Sequence, residues 1–187
     1  AQEELQPLSS LFAKMQLLAE VESGVGPQRF EPLNLRRVLQ EVLEFYAPIF
    51  EDRQVQLQTQ MQDDAWVLGD SHLLANALSN VLDNFLKYGG DGTCFALEVN
   101  LQVSTRHITL QLRDHGHGVP ADALARMGQH FFRASTHQQL AGHGIGLASV
   151  RAIARLHQGS ITWHLAQPGL ATTLRLPRVS APESTHQ

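Results

Sequence analysis

The stretch Leu78-Ser79-Asn80-Val81-Leu82-Asp83-Asn84-Phe85-Leu86-Lys87-Tyr88 decides how this chain is read. At roughly 100° per residue, Asn80, Asn84 and Lys87 line one edge of a helix, and Leu74, Leu78, Val81, Leu82 and Phe85 line the opposite edge. A helix that buries one side usually covers the other with Glu, Lys and Arg. Here the open side carries amide oxygens, a lysine and Tyr88, groups suited to a metal-bound phosphate and a flat base. The pattern predicts one wall of a nucleotide site.

On either side of this helix, the elements alternate in type. Asp70 or Ser71 is its natural N-cap. Upstream, Leu8, Leu11, Met15 and Leu18 recur at alternating spacings of three and four, an amphipathic helix that wants a partner. Residues 23–28 form a Gly- and Pro-containing linker. Asn34 caps a second helix through Leu35, Val38, Leu39, Val42, Leu43 and Tyr46. Residues 55–58 and 66–68 read as short strands. Downstream, Phe95, Leu97, Val99, Leu101 and Val103 alternate with mostly polar residues, turn at 104–106, and return as Ile108, Leu110 and Leu112, an antiparallel hairpin.

Residues 120–127 suggest a short helix closed by Gly128, and the His- and Gln-rich stretch to Gly142 a loop. Gly146 to His157 is helical, with Gly159 at its end. Residues 161–165 and 174–176, joined through Gln167-Pro168-Gly169, close the chain as a last hairpin. The expected fold is α/β (α+β): a two-layer sandwich of a mixed sheet with about three helices on one face, preceded by the amphipathic helix.

Composition narrows the function. The chain has 187 residues, 43% hydrophobic and 17% charged, with net charge −4, so it lacks the basic footprint of a nucleic-acid binder. Its one cysteine, Cys94, excludes an intrachain disulfide framework. No apolar run approaches the roughly 20 residues of a membrane helix. The chain opens in mid-pattern without a methionine, and is expected to be a fragment of something longer.

Two further stretches complete a chemical set. Asp114-His115-Gly116-His117-Gly118-Val119-Pro120 follows the strand ending near Arg113, and Gly142-His143-Gly144-Ile145-Gly146-Leu147 leads straight into a helix. Asp114 at a strand end can accept a hydrogen bond from adenine's exocyclic amine, where guanine presents a repelling oxygen. Gly116 and Gly118 let the backbone approach a flat ring. In the second stretch, freed backbone N–H groups and a helix N-terminus face phosphate oxygens. Asn84 offers a neutral oxygen to Mg²⁺, which takes few protein ligands beside phosphate and water.

These stretches resemble the ATP-binding domain of bacterial two-component sensor histidine kinases. The likeness covers nearly the whole chain. It includes the asparagine box (Asn80 to Tyr88), the Asp-x-Gly-x-Gly box (Asp114 to Gly118) and the second glycine box (Gly142 to Leu147). Phe131-Phe132-Arg133 resembles the end of the family's phenylalanine box, and residues 169–174 its closing glycine–threonine strand.

The resemblance implies the ATP-grasping fold shared with gyrase-type ATPases and heat-shock chaperones, with a lid between Val119 and Gly142. It implies that Asn84 holds Mg²⁺, Asp114 reads adenine, Tyr88 stacks on it, and Lys87 and Arg133 touch phosphate. Asn80, Gly116, Gly118, Val119, Gly142, Gly144, Ile145, Gly146, Leu147 and Thr172 complete the expected ATP-binding set.

Residues 1–24 are expected to be part of the dimerisation domain's second helix, 25–178 the catalytic domain and 179–187 a polar tail. The implied reaction passes the ATP γ-phosphoryl group to a histidine on a helix outside this chain, within a homodimer, for relay to a response-regulator receiver domain. The implied setting is the cytoplasmic side of an inner-membrane protein, held there by segments outside this chain.

Some positions depart from the family pattern. Phe85 stands where a small alanine is usual, so its bulk must be absorbed in the core. The phenylalanine box has Gly128-Gln129-His130 upstream, and Ala171 occupies a glycine position. Two alternatives are a water-activating ATPase and a silent nucleotide-binding module. The ATPase relatives carry a glutamate one turn before the metal-binding asparagine. Here that position is Asn80, which takes no proton at neutral pH. Of the bland readings, Asp70 is expected to be only a cap and the five histidines at 115, 117, 130, 137 and 143 solvated loop residues. His157 is expected to be structural, favoured by a helix C-terminus.

Overall fold

A computed structural model describes residues 30–89, 95–129 and 146–182, together with Ala19 and Ser23. The expected dimerisation helix apart from Ala19 and Ser23, Cys94, and the site residues Arg133, Gly142, Gly144 and Ile145 lie outside the described residues.

Elements follow in the order β1 (Glu31–Asn34), α1 (Leu35–Asp52), β2 (Gln56–Met61), β3 (Trp66–Gly69), α2 (Ser71–Tyr88), β4 (Ala96–Val103), β5 (His107–Asp114), α3 (Ala121–Leu124), α4 (Gly146–Leu156), β6 (Ser160–Leu165) and β7 (Leu170–Pro177). Five strands form one mixed sheet in the order β2-β4-β5-β7-β6. Only β2–β4 is parallel, and the other pairs are antiparallel. β1 and β3 form a separate two-stranded antiparallel ribbon. The expected two-layer sandwich is the fold observed.

Local chemistry accounts for the element starts. Asn34 Oδ1 accepts from the Arg36 amide at 3.0 Å and begins α1. Asp70 Oδ1 accepts from the His72 and Leu73 amides at 2.9 and 3.1 Å and begins α2, so the cap reading of Asp70 holds. Alternation in β4 and β5 turns Leu97, Val99, Leu101, Ile108, Leu110 and Leu112 into the core. Glu98, Asn100, Gln102, Thr109, Gln111 and Arg113 line the other face, which no helix of the core covers among the described residues. Antiparallel sheets commonly leave one face to water in this way. The helices α1, α2 and α4 bury their apolar sides on the first face.

Phe85 is absorbed as its size demands. It is 5% exposed and meets Phe50 and Phe95 edge-to-face, with ring centroids 6.2 and 5.7 Å away. Tyr46 extends this aromatic row and ties α1 to α2 through a 2.7 Å hydrogen bond from its hydroxyl to Asp83 Oδ1. Burial, with Asp83 adding to it, pushes the Tyr46 phenol well above its usual range.

His157 links elements far apart in sequence. Its Nε2 accepts from the Asp70 amide at 3.1 Å, and its Nδ1 donates to the Ile153 carbonyl at 2.8 Å. Because one partner is an obligate donor and the other an obligate acceptor, the ring is held neutral in a single tautomer. Burial lowers its pKa below 6.5, so desolvation overrides the helix C-terminus that was expected to favour its charge. Phe30 stacks on the same ring at 4.5 Å.

Candidate functional site

Helix α2 is the common floor of the candidate site. At its C-terminal end, Gly89 is pressed between Phe85, Asp114 and Gly116. A Cβ at Gly89 would collide with the Phe85 ring and lie 3.1 Å from Asp114 Cβ, and a Cβ at Gly116 would lie 2.8 Å from the Gly89 carbonyl. Two glycines face to face are what let the loop after β5 reach the helix. In the middle of α2, Asn80 is 7% exposed and its Oδ1 sits 3.1 Å from where a Cβ would project at Gly146. The first residue of α4 therefore rests on Asn80. Asn84 lies one turn after Asn80 and five residues before Gly89, half-buried between the two contacts. The helix thus brings all three predicted stretches together, as far as they lie among the described residues.

Asp114 is the last residue of β5, and its Oδ1 accepts from the Gly116 amide at 3.0 Å and the Leu170 amide at 3.1 Å. The two bonds fold the glycine loop back on the strand and fasten it to the start of β7. Burial raises the carboxyl's pKa above the usual 3.8, and the two amides, then His115 and Arg113, pull it down. Among the described residues only Oδ1 is engaged, which leaves the second oxygen for an incoming donor. Gly169, at φ +96°, lies so close that any Cβ there would run into the Asp114 carbonyl. Gly118, at φ +68°, makes the next turn of the loop.

The remaining predicted residues fall into three groups. Lys87 is exposed and Tyr88 half-buried at the end of α2, both on the helix that carries Asn84. Gly146 and Leu147 open α4, and Leu147 is partly buried against the core. Thr172 is buried on the inner face of the sheet, beside Leu112 and Trp163, and so under the helical layer. Gly116 and Val119, with His117, border an open cavity whose other wall is the β6–β7 turn at residues 165–169. Neither Asn80 nor Asn84 lines it, so this cavity is not the space above α2.

Two residues escaped the sequence reading. Asn76 Oδ1 accepts from Asn80 Nδ2 at 2.9 Å, which aims Asn80 Oδ1 at α4. The signal was present: Asn76, Asn80 and Asn84 recur every fourth residue, and such neighbours touch on a helix. Glu98 is the other. Its Oε1 lies 2.6 Å from His115 Nε2, and Oε2 lies 3.9 Å from Arg113. His115 is therefore a half-buried hydrogen-bond partner of Glu98, not a solvated loop residue as expected. Among the described residues, no three His, Cys, Asp or Glu side chains cluster as a metal site.

Residues 69–180 match the family model described as histidine kinase-, DNA gyrase B-, and HSP90-like ATPase. Sensor histidine kinase CusS of Escherichia coli O157:H7 is 31% identical over 161 residues, which are 85% of this chain and 33% of that protein. The chain spans about a third of the length of the curated relatives it matches. Among solved structures, a mycobacterial sensor histidine kinase, MprB, superposes with a TM-score of 0.71 at 29% identity, covering 81% of this chain and all of that one. Full-length ShkA, solved in complex with AMPPNP, has a TM-score of 0.77 at 20% identity, covering 96% of this chain and 37% of that one, a likeness of fold.

Proposed function

The chain belongs to the histidine kinase-, DNA gyrase B-, and HSP90-like ATPase family, and from this premise we propose that it is the ATP-binding catalytic domain of a sensor histidine kinase. It binds Mg-ATP above α2 and passes the γ-phosphoryl group to a histidine on a helix outside this chain. The phosphohistidine then serves a response-regulator receiver domain, within a homodimeric protein whose catalytic part lies in the cytoplasm. The observation that carries this reading is the seating of the first glycine loop and of the first residue of α4 on one asparagine-lined helix, Gly116 against Gly89 and Gly146 against Asn80.

The donor set fits the cargo. The Asp114 carboxylate, pinned through Oδ1, keeps Oδ2 in place to accept from the adenine N6 amine. Glycines at 116 and 146 let the loop after β5 and the start of α4 close on α2, where a Cβ would meet Gly89 or Asn80. Asn84 is the neutral oxygen that would hold Mg²⁺, an ion that offsets phosphate charge when bound. Lys87 is exposed at the end of the same helix, free to swing toward phosphate. Among the described residues of this α2 face, the position of the ATPase glutamate holds Asn80, which has no basic oxygen and whose amide is committed to Asn76. Phosphoryl transfer rests mainly on positioning and charge neutralisation. An imidazole acceptor is already nucleophilic, whereas water needs a base. The kinase reading is favoured over the ATPase reading on that ground.

A calorimetric titration with ATP and GTP, each with and without Mg²⁺, tests the site. ATP binding strengthened by Mg²⁺ and GTP binding at least tenfold weaker are expected. Equal affinity for the two bases would overturn the role of Asp114. Incubating the chain with radiolabelled ATP and a polypeptide bearing a phosphoacceptor helix tests the reaction, and ATP binding without label transfer would leave a silent binder.

A further inference from the structure

The sheet has two edges, and they are treated differently. At the β6 edge, α3 packs alongside the strand. The β2 edge has no strand beyond it among the described residues, and Gln56 to Gln60 are all exposed. Its sequence is Gln54-Val55-Gln56-Leu57-Gln58-Thr59-Gln60-Met61-Gln62, nine residues without a charge, proline or glycine. Natural edge strands are usually blunted by such residues to prevent pairing. This one is not.

The hydrogen-bond phase shows what the edge offers. Gln56 N–H donates to the Phe95 carbonyl at 2.6 Å and Gln62 N–H to the Leu101 carbonyl at 3.0 Å. In a parallel ladder, alternate residues bond to the same neighbour. The even-numbered glutamines therefore serve β4, and Leu57, Thr59 and Met61 point their N–H and C=O groups outward. The flank of α1 beside this edge is apolar. Tyr46 and Phe50 face α2, and Phe45 and Ile49 sit one helical step before them, roughly 100° round on the side turned away from α2. Phe45 is 76% exposed, Ile49 41% and Leu57 37%.

We propose that the β2 edge is a docking surface for a second copy of this chain, paired antiparallel about a two-fold axis at Thr59. That register is self-complementary at every level. Thr59 faces its own counterpart, Leu57 faces the partner's Met61 on the helix side, and Gln58 faces the partner's Gln60 on the open side. Exposed Arg53 before the strand comes beside exposed Asp64 of the partner after it, at both ends of the interface. The axis stands perpendicular to the sheet, so the two α1 helices meet on one side and cover Phe45 and Ile49. A closed two-fold contact of this kind is isologous and ends with two copies. The proposal does not rest on nucleotide binding.

Disulfide trapping in the full chain tests it, with Cys94→Ser removing the native thiol. Thr59→Cys should give a covalent dimer under mild oxidation, because a hydrogen-bonded antiparallel pair sets its Cα atoms about 5.5 Å apart. Gln58→Cys, offset from its own copy, should not. In sedimentation, Thr59→Pro removes only an outward N–H and should weaken self-association about thirtyfold, two mirrored hydrogen bonds at roughly fivefold each. Arg53→Asp and Asp64→Arg should each weaken association alone and restore it when mixed, a readout that does not depend on Thr59→Pro folding. Self-association that Leu11→Asp in the N-terminal seam abolishes and Thr59→Pro leaves intact would overturn the proposal. A chain that stays monomeric, or equal cross-linking at 58 and 59, would also overturn it.

Discussion

Asp114→Asn separates what the carboxyl does for the fold from what it does for a ligand. In the fold, Oδ1 accepts two backbone N–H groups, and an asparagine carbonyl can keep both. The substitution removes a charge that burial disfavours, at the cost of weaker hydrogen bonds. The two effects oppose each other, so stability at neutral pH should change by no more than about 1 kcal/mol, or about 2–4 °C in Tm.

The sign of the pH dependence is set by the raised pKa. Stability linked to a carboxyl of this kind is fully present below the unfolded value of 3.8 and is lost as pH rises through the folded value. The variant lacks that loss, so its stability relative to the parent should climb from pH 3.8 upward and then level off. Nucleotide binding should behave otherwise. The variant loses a charge-assisted bond to the adenine amine, about 1.5–3 kcal/mol, or roughly 10- to 150-fold in affinity. Thermal melts across pH and calorimetry with ATP and with tripolyphosphate measure both. Equal losses for ATP and tripolyphosphate, or a collapse of the fold, would refute the reasoning.

Asn84→Ala should leave the melt within about 1 kcal/mol of the parent, since the residue is half-buried at the site and outside the core. It should also remove the Mg²⁺-dependent part of nucleotide affinity, and an unchanged titration would remove the metal assignment. Gly169→Ala should destabilise by more than about 3 kcal/mol in denaturant melts, because the φ is +96° and the Cβ would enter the Asp114 carbonyl. Tyr46→Phe should cost about 1–2 kcal/mol through the bond to Asp83, and a neutral result would show that bond contributes nothing. Stability linked to His157 should be present above pH 6.5 and fall as pH drops through its lowered folded pKa. The variant His157→Phe should lose that acid dependence in urea titrations between pH 7 and 4.5.

Much of this architecture was legible because it is local. The cap residues Asn34 and Asp70, the period-two rows of β4 and β5 and the asparagine spacing of α2 each act within a few residues, and each appears where the pattern places it. What escaped was long-range. The parallel pairing of β2 with β4 joins residues 40 apart, as in Gln56 with Ala96, and nothing in either strand announces it. The β1–β3 ribbon depends on four-residue strands too short to show a period. The His157–Asp70 bond spans 87 residues, and its neutral tautomer follows from burial that only the packed chain creates. At the candidate site, residue types pointed to the asparagines and Asp114. The fit of Gly89 against Phe85 and Gly116 is a matter of volumes, and a one-dimensional pattern contains no volumes.

The double attachment of α4 to α2 has a mechanical consequence. Its first residue rests on Asn80, and the histidine just past its last turn bonds the peptide that starts α2. Two anchors near opposite ends forbid α4 from sliding or pivoting on its neighbour. The two helices should move as a single strut. A push on either helix would then be felt by the whole asparagine row at once, with Asn76, Asn80 and Asn84 keeping their spacing.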